Sequence, residues 1–175
     1  MPRFKRTAHR VSLTAMFAAM SLLFLYLAAV LPTARFSMYF LSSIFIMGLI
    51  LEEEIGLAFL MYIAVSLLGL LLMMPRFTFV LPYVLFFGHY GIGKYYLEMR
   101  IKDKVIRYIL KLLYYNVALV LIYLVARATL IDILDVLPIW AVILIAEAAF
   151  VLYDFVFTKV TGYYFNNIRR LLMKD

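Results

Sequence analysis

Apolar runs long enough to cross a bilayer follow one another along most of this chain, and charged residues stand mainly between them. A helix that crosses the hydrocarbon core needs about 20 mostly apolar residues at about 1.5 Å each. Six such runs can be marked, at 11–31, 36–51, 55–74, 77–96, 108–130 and 136–160. Pro32 closes the first, Glu52-Glu53-Glu54 the second, and Pro75 with Arg76 the third. The fourth carries Pro82, Gly88, Gly91 and Gly93, which predict a kink or a break. A charged segment from Glu98 to Arg107 separates it from the fifth. The expected fold class is an all-α integral membrane protein, a six-transmembrane helix bundle forming a single transmembrane domain over residues 1–175.

Composition argues against a soluble fold. The chain is 67% hydrophobic and 15% charged, with a mean hydropathy of +1.02. Soluble domains are roughly half apolar and about a quarter charged. A chain of 175 residues cannot hide this much apolar surface in its own core, so lipid must solvate it. The length suits one helical bundle and leaves no room for a soluble catalytic domain. There is no cysteine, which excludes disulfides and thiolate metal sites. Arg3, Lys5, Arg6 and Arg10 precede the first run, as in a signal peptide. That run is too long for a signal and lacks a convincing cleavage site, so an uncleaved first span is expected.

The net charge of +7 reports topology rather than nucleic-acid binding. Fourteen of the seventeen lysines and arginines fall at the N-terminus, in the segment from Lys94 to Lys111, or between Lys159 and Lys174. With six spans these all lie on one side. Only Arg35, Arg76 and Arg127 fall on the other. Basic residues concentrate on the cytoplasmic side, so both termini are expected there, in the plasma membrane of a prokaryote.

Ionisable groups inside a membrane are expensive, which makes each a candidate for function. Glu147 and Asp154 stand seven residues apart in the sixth run, on nearly one helix face. His89 lies among the glycines of the fourth run and Asn116 in the fifth. Such groups suit a proton or cation relay, or simply bond helix to helix. Arg35, Arg76 and Arg127 each sit at an outer helix end. Gathered together they would form a positive rim for a carboxylate or phosphate; kept apart, they snorkel to headgroups. Ala15 and Ala19 place small side chains four residues apart, and Ser66 with Gly69 repeats the theme; such faces allow close helix approach. Tyr95, Tyr96, Tyr108, Tyr114, Tyr115, Tyr163 and Tyr164 fit an interfacial aromatic belt. No HExxH helix, Walker loop or GxSxG elbow is present. Leu57 and Ala58 stand where a glutamate-pair membrane protease needs arginine. No enzymatic activity, cofactor or metal is expected, and active transport would draw on an outside motor or an ion gradient.

The stretch Ser12-Leu13-Thr14-Ala15-Met16-Phe17-Ala18-Ala19-Met20, after a short basic tail, resembles the opening of the substrate-binding S components of energy-coupling factor (ECF) transporters. The resemblance extends to the span layout of the whole chain, while its motif is the Ala15/Ala19 pair alone. It implies a subunit that binds a vitamin or similar small solute in a pocket open to the outside. It also implies docking, through Ala15 and Ala19, onto a transmembrane T component driven by two ATPase subunits. Arg35, Arg76, Arg127 and Trp140 lie at the depth of that pocket, with His89 and Glu147 as further candidates; no vitamin-specific signature is present. Two other readings compete. One is a non-transporting scaffold like the rod-shape protein MreD, whose glycine-rich stretch ending in aspartate has no good match here. The other is a small ion-coupled transporter using Glu147, Asp154 and His89.

Overall fold

A computed structural model of the chain describes residues 3–129 and 139–163. Every regular element among them is helical. Six α-helices occur: α1 (Arg3–Val30), α2 (Arg35–Leu51), α3 (Ile55–Leu72), α4 (Gly88–Arg100), α5 (Lys104–Thr129) and α6 (Ile139–Tyr163). Three short turns join them, at Pro32–Ala34, Met74–Phe79 and Tyr83–Phe87. Among the described residues, four segments are long and apolar enough to cross a membrane: Arg10–Val30, Pro32–Leu51, Ile55–Leu72 and Lys104–Val125. Between Ile143 and Val160, α6 carries Glu147, Asp154 and Lys159.

The predicted break in the fourth run is present. A 3₁₀ turn covers Met74–Phe79, with Arg76 outside helical geometry at φ −126°, ψ 30°. A helical run from Leu81 to Arg100 follows, widened to a π turn at Tyr83–Phe87. The run starts about four residues later than the hydropathy suggests, because Pro75 and Pro82 favour turns and helix starts over helix interiors.

By internal contacts the chain divides into two compact units, Met1–Val125 and Ala126–Asp175. In the first, α1 packs on α2 and α3, and α4 packs on α2 and α3. The packing uses small residues where backbones approach. Ser21 and Ser42 bond reciprocally: Ser21 Oγ donates to the Ser42 carbonyl at 3.0 Å, and Ser42 Oγ donates to the Ser21 carbonyl at 2.8 Å. A Cβ at Gly69 would stand 2.9 Å from Leu25 Cδ2 and 3.1 Å from Val80 Cγ1, so α1, α3 and the start of the fourth run meet where only hydrogen fits. Ser66 and Gly69 are thus buried packing positions, as their spacing suggests. Ala15 and Ala19 are not: both are exposed, and α1 buries Ser21, Leu25, Ala28 and Ala29 instead.

Helix ends are set by local chemistry. Asp103 caps α5, accepting from the Val105 and Ile106 amides at 2.8 and 3.3 Å. α2 ends in a Schellman motif: Glu54 N–H donates to Leu49 O at 2.9 Å and Glu53 N–H to Ile50 O at 3.0 Å. Glu53 occupies the left-handed position, at φ 64°, that glycine usually fills. Arg10 meets Glu54 at 2.7 Å, which brings the early part of α1 beside the α2–α3 turn. α1 to α5 therefore alternate in direction. One end of the first unit carries Glu52–Glu54 and the α4–α5 turn; the other carries the Pro32–Ala34 and Met74–Phe79 turns.

In the second unit, α6 buries Phe150, Tyr153 and Phe157, spaced three and four apart along one stripe. Glu147 and Asp154 are partly buried, at positions three before and four after Phe150, hence on the same side of the helix.

Candidate functional site

The interior of the first unit is organised by tyrosine hydroxyls around the broken fourth run. A π turn and a proline free backbone carbonyls that have no water to bond in an apolar setting. Tyr39 on α2 donates to the Phe79 carbonyl at 2.5 Å, and Tyr62 on α3 donates to the Val84 carbonyl at 2.8 Å. Tyr83, wholly buried, reaches Ser21 Oγ at 3.2 Å and joins the Ser21–Ser42 pair, whose hydroxyls are 2.8 Å apart. The break is therefore held by side chains from α1, α2 and α3. Gly88 follows it, and a Cβ there would stand 2.7 Å from Tyr62 Cδ2 and 2.9 Å from Tyr83 Cε1.

His89 sits at this junction, about 12 Å along the run from Leu81 at 1.5 Å per residue. Its Nδ1 is hydrogen-bonded to the Tyr114 hydroxyl of α5, and the Tyr62 ring meets it edge-on at 5.3 Å. Phe86 lies 5.1 Å from the Tyr115 ring, so α5 is joined to the fourth run by aromatic contacts. Tyr114 and Tyr115 thus contribute to the interior rather than to an interfacial belt. Asn116 turns its amide back to the Leu112 carbonyl of its own helix at 3.0 Å.

Towards the α4–α5 turn, Glu98 receives Lys111 Nζ at 2.7 Å, with Lys94 Nζ at 4.0 Å. Both lysine side chains are almost wholly buried. Hydropathy placed them at the ends of the fourth and fifth runs, and the charge count grouped them with the connection between; folding buries both side chains.

The opposite end holds Arg35 and Arg76. Arg35 opens α2, and its guanidinium lies over the Phe79 ring, Cζ 4.2 Å from the ring centre. Its Nε is buried and has no hydrogen-bond partner among the described residues. Arg76 is exposed, in the same short turn as Phe79. The structure thus brings two of the three expected rim arginines to one end. Arg127 lies on the last turn of α5, in the second unit, and its side chain is outside the described residues. Trp140 is exposed near the start of α6, and Glu147 lies further along it. The basic residues Arg169, Arg170 and Lys174, with Tyr164, lie outside the described residues.

Comparison with protein-family models, with curated proteins and with solved structures finds no match. Sequence reasoning missed Ser21, Ser42, Tyr39, Tyr62 and Tyr83. The available signal was hydroxyls within apolar runs, which must find an internal acceptor in lipid.

Proposed function

We propose that the chain is the membrane-embedded, substrate-binding subunit of an ECF-type uptake transporter. In this reading six spans place both termini in the cytoplasm of a prokaryotic cell, and the Arg35 end faces outside to receive a small anionic solute. The observation that carries it is the exposure of Ala15 and Ala19. Helix packing inside the protein uses other small residues of α1, namely Ser21, Ala28 and Ala29, and leaves this pair open to a partner helix. Basic residues at the opposite end, Arg100, Lys102 and Lys104, are exposed and agree with a cytoplasmic orientation.

Co-expression with a T component and its two ATPases tests the reading. The wild-type chain is expected to co-purify with them, and Ala15→Leu or Ala19→Leu to weaken assembly by about 1–3 kcal/mol through overpacking. Assembly that tolerates both leucines defeats the docking role. The His89–Tyr114 pair favours a second reading, an ion-coupled transporter, in which uptake collapses with the ion gradient and needs no ATPase.

A further inference from the structure

We infer that Arg35 holds an oxyanion, a carboxylate or a phosphate, at the end of the bundle built from the Pro32–Ala34 and Met74–Phe79 turns. The guanidinium lies over the Phe79 ring, its Cζ 4.2 Å from the ring centre, which restrains its position. Its Nε hydrogen is buried and bonds to nothing among the described residues, a condition proteins rarely tolerate for a charged donor. The carbonyl of Phe79, the residue whose ring the guanidinium covers, accepts the Tyr39 hydroxyl at 2.5 Å. Arg35 forms no ion pair among the described residues, and the described acids of the first unit lie elsewhere: Glu52, Glu53 and Glu54 end α2, while Glu98 and Asp103 flank the α4–α5 turn.

Two further features of this end are electropositive. α2 begins without a side-chain cap and with no acid in its first turn, so its first amides keep their partial positive charge. Arg76 adds a second cation in the turn that carries Phe79. A guanidinium offers Nε and one Nη as a parallel pair, matched to two oxygens of a carboxylate or phosphate. The complement to this corner is therefore a bidentate oxyanion. It comes from one of two sources, a phospholipid headgroup or a small dissolved acid. The site extends the solute reading above and depends on it only for access from outside. Failure of α1 docking and failure of anion binding at Arg35 are separate results.

The test uses the full chain, purified in detergent and stripped of lipid. Thermal unfolding is followed by helical circular dichroism with acetate, inorganic phosphate, dioctanoyl phosphatidylglycerol, or dioctanoylglycerol as the headgroup-free control. At least one oxyanion is expected to raise the midpoint in a saturable way, and dioctanoylglycerol is not. A response to acetate or phosphate identifies a dissolved acid; a response to phosphatidylglycerol alone identifies a headgroup. Arg35→Gln is expected to weaken the apparent affinity about 10-fold or more, as for loss of a charged hydrogen bond. Arg35→Lys, which keeps charge but not the paired donors, is expected to weaken it as well. Lys104→Gln, at the opposite end, is expected to leave it unchanged. If Arg35→Gln does not fold, Phe79→Leu replaces it: the ring is lost, the guanidinium stays, and affinity is expected to fall several-fold. An equal response in Arg35→Gln and wild type overturns the site, as does a wild-type chain that responds to no oxyanion. Asp132 and Asp135 fall in sequence between α5 and α6, and replacing both tests for a ligand from within the chain. A response that emerges only in the Asp132→Asn/Asp135→Asn variant overturns an external ligand in favour of an internal carboxylate.

Discussion

Single residues carry two kinds of constraint here, space and backbone angle. At Gly88 the constraint is space. Gly88→Ala drives a methyl to within 2.7 Å of Tyr62 and 2.9 Å of Tyr83. It is expected to lower stability by about 1–3 kcal/mol, the usual range for overpacking, as read by thermal unfolding in detergent. Gly56→Ala is the control: nothing lies within 4 Å of its Cβ position, and a gain of about 0.4–1 kcal/mol is expected. At Glu53 the constraint is the angle, φ 64°. Glu53→Gly relieves a left-handed penalty of about 1–2 kcal/mol, partly offset by glycine's greater entropy when unfolded. It is expected to be neutral or stabilising in the same assay, and Glu53→Val destabilising. The composition announced neither position; glycine and glutamate look ordinary until the neighbouring chain is in place.

Between elements, buried hydroxyls supply specificity that the hydrophobic effect could not supply in a lipid setting, where the solvent is as apolar as leucine. Tyr39→Phe and Tyr62→Phe keep the rings but leave the Phe79 and Val84 carbonyls unpaired. Each is expected to cost about 1–3 kcal/mol, the desolvation penalty of a buried acceptor left alone. The Ser21–Ser42 pair behaves differently, since its two bonds are reciprocal. A double-mutant cycle of Ser21→Ala and Ser42→Ala is expected to give a coupling of about 0.6 kcal/mol, and no more than about 1.7. No measurable coupling would mean that the two hydroxyls act independently, each rebonding to its own helix. The break in the fourth run was legible from Pro82 and the glycines, because these residues bias the backbone wherever they occur. What holds the break was not, because Tyr39 and Tyr62 lie 40 and 22 residues from the carbonyls they bond.

For the molecule as a whole, charge and end-to-end polarity make one statement about orientation. The chain has no cysteine, so single cysteines report sidedness cleanly. In intact cells, Thr33→Cys is expected to react with an impermeant maleimide and Lys102→Cys only after permeabilisation. The reverse pattern would invert the proposed topology and move Arg35 to the cytoplasmic face. Of the candidate residues, Arg35, Arg76 and His89 fall in the first unit, and Arg127, Trp140 and Glu147 in the second. Within the first unit the arginines lie at one end, while His89 is held deeper by Tyr114. Assumed depth grouped the arginines and Trp140, and ionisable character within an apolar run added His89 and Glu147; neither says anything about neighbours around the bundle.

Read alone, the sequence determined that the chain is helical and where most helices run, because apolar run length and helix-breaking residues act locally. It also determined which end of the first unit carries most of its basic residues, because positions along alternating helices follow from order. Only the tertiary structure decided which small residues pack inside and which, Ala15 and Ala19, face outward. It alone paired Arg35 with the Phe79 ring, put Lys94 and Lys111 around Glu98, and joined His89 to Tyr114. Those contacts depend on the rotation of each helix about its axis, and hydropathy, nearly uniform around helices as apolar as these, does not encode that angle.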